Sequence, residues 1–296
     1  MNAEEQLLKT IKVPIVKETR EILKHFNLRA SHRLGQNFLI SEEVVYDIVA
    51  AADIKSGEKV LEIGPGIGTL TEALLEAGAK VTAVEIDKKL PAVLKETLKS
   101  YDNFTLISGD VLKVDLREIM GDEPYKVVSN LPYYITTPIL LNLLEKKLPI
   151  TKTVTMIQKE VAERITANPG GKDYGALTLA FKYFTDTKII REVSPKCFYP
   201  APEVISAVIA SNVLKEPSVK VKDEELFFKV IKAAFGKRRK TLSNALKSVF
   251  GKDISALEKA KIDGKRRGET LSIEEFAILA NCMTMERDCN GNREYF

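Results

Sequence analysis

The stretch KVLEIGPGIGTLTEALLEAGAKVTAVEID, from Lys59 to Asp87, leaves this chain little choice of architecture. A short apolar run ends at a glycine cluster, a helical pattern follows, and a second apolar run closes the unit. A strand, a crossover helix and a strand in that order imply neighbouring parallel strands, because the crossover packs its helix back onto the sheet. Gly64, Gly66 and Gly68 sit at the strand-to-helix turn, where a missing Cβ lets the backbone reverse sharply and approach a ligand. A dinucleotide fingerprint needs G-x-G-x-x-G. Here Thr69 holds the last position and the third glycine arrives one residue early, which counts against a dehydrogenase.

Acids stand at the ends of the next two strands. Glu85 closes the second, where a carboxylate can accept both ribose hydroxyls of an adenosine cofactor, and Asp110 closes the third in SGDVL, within reach of an adenine amine. Each alone is equally an ordinary cap or turn residue. Three successive strand ends tipped with glycine or acid favour a nucleoside cofactor, because ligands of open α/β sheets bind outside the carboxyl ends of the strands.

The alternation continues along the chain. Helices are expected at 15–29, 41–52, 88–99, 137–146 and 158–167, with further strands in FTLISGD, YKVVSNLP and TKTVTMIQ and near 187–194 and 204–213, about seven strands in all. From Asp223 onward the pattern is helical in ELFFKVIKAAF, KTLSNALKSVF and SIEEFAILANCM, the last opened by a Ser272 cap with Glu275 three residues on. The expected division is an α/β domain over 1–215, with an N-terminal helical extension, and a small all-α domain over 216–296. The polar tail MERDCNGNREYF is read as lying past the last helix, with no role assigned.

Asn130, Leu131, Pro132 and Tyr133 follow the strand YKVVS at its carboxyl end. With GQNFL (Gly35 to Leu39), the glycine loop, SGDVL, NLPYYITTPIL, QKEVAERI and FYPAPEVISAV in order, the chain resembles the small-subunit ribosomal RNA adenine dimethyltransferase family over nearly its whole length. That resemblance implies a Rossmann-like class I methyltransferase fold and S-adenosylmethionine as cofactor. It also implies dimethylation at N6 of two adjacent adenosines near the 3′ end of 16S RNA, within an immature small ribosomal subunit. Carried over residue by residue, Asn37, Leu39, Glu62, Gly64, Gly66, Glu85, Ile86, Asp110, Val111 and Asn130 would hold the cofactor. Asn130, Leu131, Pro132, Tyr133 and Phe198 would form the reaction site, Tyr133 and Phe198 as the two aromatic faces of the target-base pocket.

The motif has its own physics. The N6 lone pair of adenine is delocalised into the ring, so the amine is a poor nucleophile. If the Asn130 side-chain oxygen and the Leu131 carbonyl each accept one N6 hydrogen, the nitrogen is drawn toward a tetrahedral shape that frees the pair. Pro132 keeps Leu131 extended and aims that carbonyl outward. Tyr133 can stack on an extruded base.

Composition matters mainly for what it excludes. The only histidines are His25 and His32, and Cys197, Cys282 and Cys289 show no C-x-x-C spacing, so hydrolytic triads, metal sites and a disulfide framework are poorly supplied. No metal is expected. Charge is unevenly spread: 27 basic and 28 acidic side chains precede Lys215, whereas 18 and 13 lie from there on. Lys237, Arg238, Arg239 and Lys240 form one run, and Lys265, Arg266 and Arg267 another. The resemblance assigns both to RNA phosphate contact, which supplies affinity without reading sequence. With no signal-peptide pattern and no run of eighteen apolar residues, a cytoplasmic protein without membrane attachment is expected; a monomer is expected as well, though no residue pattern carries that. The competing readings are an Erm-type methylase of large-subunit RNA, whose relatives tend to read SQNFL and NIPYNIST, and an assembly or RNA-binding factor with weak activity.

Overall fold

The structure is a computed structural model that describes residues 16–237, 239–251 and 255–289. Its strands are β1 (Phe38–Leu39), β2 (Lys59–Ile63), β3 (Lys80–Glu85), β4 (Phe104–Ser108), β5 (Tyr125–Asn130), β6 (Ile150–Gln158), β7 (Thr185–Val193), β8 (Phe198–Tyr199) and β9 (Ser206–Val213). Seven of them form one sheet in the order β4-β3-β2-β5-β6-β9-β7, and β1 pairs with β8 in a separate two-stranded ribbon. The run from β4 to β6 is parallel, while β9 joins β6 antiparallel. The chain steps outward from β2 to β3 and β4, then returns to lay β5 on the other side of β2. This reversal opens a crevice at the carboxyl ends of β2 and β5.

Why these residues fold this way is visible in their spacing. Helix Glu42–Ala52 buries Val44, Val45, Ile48, Val49 and Ala52, the stripe of one helical face. Helix Thr69–Glu76 buries Leu70, Ala73, Leu74 and Leu75, and both stripes share a core with Val60, Val81, Val154, Met156 and Val208 of the sheet. Each of these valine, isoleucine, leucine and methionine side chains contributes about 1.5–3 kcal/mol on leaving water. Arg191 of β7 pairs with Asp47 and with Glu43 at 3.1 Å, tying helix Glu42–Ala52 to the sheet through side chains.

The chain divides into two compact units. Among the described residues, those from Val16 to Ala162 form one with Thr187–Val213, and Glu163–Asp186 groups with those between Leu214 and Cys289 to form the other. The second unit contains a helix that the sequence pattern does not announce, Ala176–Phe184. Its sequence ALTLAFKYF has almost no polar face, because Leu177, Thr178, Leu179, Ala180, Phe181 and Tyr183 are all buried, so the usual 3.6-residue alternation is missing. Tyr183 and Leu179 pack with Phe227, Val230 and Ile231 of helix Glu224–Gly236 and with Phe276 of helix Ile273–Cys289. Ser272 and Glu275 form the expected reciprocal cap, the Ser272 amide donating to Glu275 Oε2 at 2.8 Å and the Glu275 amide to Ser272 Oγ at 3.3 Å. The last helix continues to Cys289, through the first part of the segment read as a tail.

Candidate active site

The crevice begins where the β2–β5 ladder stops. Those strands pair at Val60–Lys126 and Leu61–Val127, and beyond that point the Ile63 amide donates instead to the Ser129 hydroxyl at 2.7 Å. A side chain thus replaces the ladder bond, and the two strand ends part. On the other flank the Gly64 amide donates to the Val84 carbonyl at 2.9 Å, and the Gly109 amide to the Glu85 carbonyl at 2.8 Å, so the loops after β2 and β4 are stitched to β3. Gly66 has a φ of +63°, and a Cβ there would come within 3.3 Å of the Phe38 ring. Only glycine meets both conditions without strain.

Above these strand ends lies an open cleft of about 930 Å³. All ten residues expected to hold a cofactor line it: Asn37, Leu39, Glu62, Gly64, Gly66, Glu85, Ile86, Asp110, Val111 and Asn130. Phe38, Gln36 and Tyr134 also line it and were not singled out from sequence. The first two stand inside GQNFL and Tyr134 is the second tyrosine of NLPYY, so the motifs carried the signal but not the choice of residue.

The acids behave differently from one another. Glu85 Oε1 accepts the Asp87 amide at 2.7 Å and Oε2 the Gly66 amide at 3.4 Å, while burial pushes its carboxyl above the usual range. Glu62 is 1% exposed, and its Oε2 has no hydrogen-bond partner among the described residues. Burial, with the nearby Glu85 charge adding to it, pushes the Glu62 carboxyl up to about 8. A buried polar atom without a partner costs about 1–3 kcal/mol, so its retention in a cleft wall favours a ligand that satisfies it. Asp110 turns the chain through Oδ1, which accepts the Leu112 amide at 3.0 Å. That is the turn role open to it from sequence, and Asp110 lines the cleft as well.

At the end of β5 the Asn130 Nδ2 donates to the Asn37 carbonyl at 3.3 Å. A carbonyl can only accept, so this contact fixes which way the amide faces and leaves Oδ1 as the acceptor on the other side. The Leu131 amide is taken by the Met156 carbonyl at 3.0 Å, and the Leu131 side chain is buried. Among the described residues no donor pairs with Asn130 Oδ1 or with the Leu131 carbonyl. The next carbonyl, that of Pro132, is used internally, accepting Thr136 Oγ1 at 2.9 Å. Tyr133 is anchored by a 2.5 Å hydrogen bond between its hydroxyl and Ser206 Oγ at the start of β9.

Tyr133 also borders a second, open cavity, lined further by Gln158 and by Pro200 to Val204. The two cavities share Gly35, Gln36, Asn37 and Tyr133 as a common wall. Phe198 lies elsewhere. It is 3% exposed, stands opposite Leu39 in the β1–β8 ribbon and packs in the sheet core, so it lines neither cavity.

In the helical unit two basic segments far apart in sequence come together. The Leu242 amide donates to the Arg266 carbonyl at 2.7 Å and the Ser243 amide to the Gly264 carbonyl at 3.0 Å, which brings the loop of Lys237, Arg239 and Lys240 beside that of Lys265 and Arg267. Those five are exposed. Arg266 is held differently: its guanidinium pairs with both Glu275 oxygens and donates to the Thr270 carbonyl at 2.7 Å, which commits it to the unit's own structure. Arg238 lies outside the described residues.

Comparison with known proteins matches residues 27–285 to the model of the ribosomal RNA adenine dimethylase family. Ribosomal RNA small subunit methyltransferase A of Clostridium acetobutylicum is 52% identical, over 89% of this chain and 97% of its own length. The protein of the same name from Alkaliphilus metalliredigens is 51% identical over 88% and 94%. Among solved structures, a dimethyladenosine transferase from Plasmodium falciparum superposes with a TM-score of 0.70 at 26% identity, covering 82% of this chain and 95% of that one. The 23S rRNA methyltransferase ErmE superposes at 0.65 with 25% identity, covering 84% and 100%. The sheet is that of the class I methyltransferases, mostly parallel with a helical C-terminal part. The chain belongs to the ribosomal RNA adenine dimethylase family.

Proposed function

We propose that this family member transfers methyl groups from S-adenosylmethionine to N6 of two adjacent adenosines near the 3′ end of 16S RNA, two on each, in an immature small ribosomal subunit. One observation carries the reading: Asn130 Oδ1 and the Leu131 carbonyl are two neighbouring acceptors without protein donors, at the seam between two cavities.

The cleft residues fit the cofactor. Glu85 presents a carboxylate held by two backbone amides where a ribose diol would bind, Ile86 and Val111 offer apolar walls for adenine beside Asp110, and Glu62 Oε2 is open to a polar group of the ligand. When bound, the cofactor supplies an electrophilic methyl on a sulfonium. The rest is done by the chain. Asn130 and Leu131 accept the two amine hydrogens and free the lone pair, and Tyr133, braced by Ser206, stacks on the base in the second cavity. Holding the target amine against that methyl would supply most of the acceleration. No general base is required, because the alkylated amine is acidic enough to lose its proton to a carbonyl or water. Phe198 supports the Asn37 wall from the core through its pairing with Leu39. Lys237, Arg239, Lys240, Lys265 and Arg267 neutralise RNA phosphates, so the helical unit supplies affinity and the α/β unit supplies chemistry. Among the described residues no helix is long and apolar enough to cross a membrane. We assign the protein to the cytoplasm, as a monomer.

The test offers unmethylated small subunits and large-subunit RNA to the protein with methyl-labelled cofactor. Label on two adjacent small-subunit adenosines is expected, and label in the large-subunit RNA alone would replace this reading with the Erm-type one. Transfer to neither would leave an assembly factor.

A further inference from the structure

Part of the wall common to both cavities is held by a side chain to which no role has been attached. Gln36 stands between the turn His32–Leu34 and β1, and its amide is used at both ends. Gln36 Oε1 accepts the Ser31 amide at 2.8 Å, while Gln36 Nε2 donates to Asp87 Oδ2 at 2.8 Å, across 51 residues of sequence. Asp87 is in turn committed: its Oδ1 accepts the Lys89 amide at 3.0 Å and its own amide donates to Glu85 Oε1 at 2.7 Å. On the other side, the Asn37 side chain donates to the Gly35 carbonyl at 3.2 Å and the Asn37 carbonyl accepts from Asn130. A Cβ on Gly35 would lie 3.5 Å from the Tyr134 ring and 3.8 Å from the Tyr133 amide, so the loop abuts the catalytic turn.

These contacts form one chain, Glu85 to Asp87 to Gln36, then along the backbone through Asn37 to Asn130. It runs from the ribose end of the proposed cofactor site to the acceptor that grips the target amine. We infer that Gln36 is a positioning residue: latched to Asp87, it holds the Gly35–Asn37 wall so that cofactor and adenosine are kept in register. The inference rests on the function proposed above. Gln36 touches neither reacting atom. Its effect is on where Asn130 points, and misplacing a reacting group by about 1 Å can cost on the order of 100-fold in rate.

The bridge has a polarity that can be reversed. Gln36→Glu faces the Asp87 carboxylate with a second one and removes the donor. Asp87→Asn leaves one oxygen to serve two donors, Gln36 Nε2 and the Lys89 amide. The double substitution Gln36→Glu with Asp87→Asn restores every bond: the new amide at 87 donates to the new carboxylate at 36, whose other oxygen still accepts the Ser31 amide. The experiment measures kcat on unmethylated small subunits and the equilibrium affinity for S-adenosylmethionine, for the native protein, both single variants and the double variant. Gln36→Glu is expected to lower kcat by about 10- to 100-fold with a smaller change in cofactor affinity, and the double variant to return most of the lost kcat. Native kcat in Gln36→Glu, or a double variant no better than the worse single, would overturn the latch and leave the function reading standing. A native protein that transfers no label would instead sink the reading on which the latch rests. Loss of cofactor affinity in proportion to kcat would place Gln36 in cofactor binding alone and also overturn the coupling.

Discussion

The two units use charge in opposite ways. In the α/β unit, Glu62 and Glu85 are buried, raised above the usual carboxylate range, and held by backbone amides or left with one orphaned oxygen. In the helical unit, Lys237, Arg239, Lys240, Lys265 and Arg267 are exposed. A buried group is costly to misplace and therefore marks a position to within a fraction of an ångström, whereas an exposed cation binds a phosphate from many directions and is worth little alone. Arg266 makes the contrast inside one unit: next to two solvated cations, it alone is spent on a bidentate carboxylate pair. Chemistry and affinity should thus respond differently to substitution.

The sharpest test of that contrast is Asn130→Ala. Removing one of two acceptors should lower kcat by about 10²–10³, the range found when one preorganised transition-state partner is deleted, with RNA affinity unchanged in a filter-binding assay. Equal losses in kcat and RNA affinity would erase the division between units. Tyr133→Ala should cost about 1–3 kcal/mol in the apparent binding of the target adenosine, read from kcat/KM. Tyr133→Phe keeps the ring, loses only the bond to Ser206, and should fall between Tyr133→Ala and the native protein.

Glu62→Gln probes the buried acid through stability. Its folded carboxyl is pushed up to about 8, so between the unfolded range near 4.5 and that value the folded state binds a proton the unfolded state does not. Folding stability contributed by this group is therefore present at low pH and is lost as pH rises through that window. Glu62→Gln should gain on the native protein by about 1 kcal/mol per pH unit from 5 to 8, in denaturant titrations without cofactor. A gap that stays constant with pH would show that the acid is not buried in its neutral form. The smallest effects belong to the other unit. Lys237→Ala and Lys240→Ala should each weaken RNA binding uniformly across sequences and reduce the salt slope by about 1, leaving the choice of adenosine untouched.

Much of the site was legible because its parts sit on consecutive strand ends. Glycine at 64 and 66, acids at 85 and 110 and Asn130 each follow an apolar strand run, and a parallel sheet lines such ends up without further information. The capping of helix Ile273–Cys289 was legible for a similar reason, since Ser272 and Glu275 interact across three residues. What could not be read depends on long-range partners. Gln36 looks like any loop glutamine until Asp87 is brought to it. Phe198 has the composition of a pocket aromatic, and only its pairing with Leu39 puts it in the core. The helix Ala176–Phe184 escaped because burial on all sides removes the periodicity by which helices are read.

The two open acceptors at Asn130 and Leu131 also imply a counter. An unmodified adenine amine brings two hydrogens and satisfies both, the singly methylated amine brings one, and the finished product brings none. On the function proposed above, the grip would weaken with each transfer, so the same pair of oxygens that recruits the base would also dismiss it.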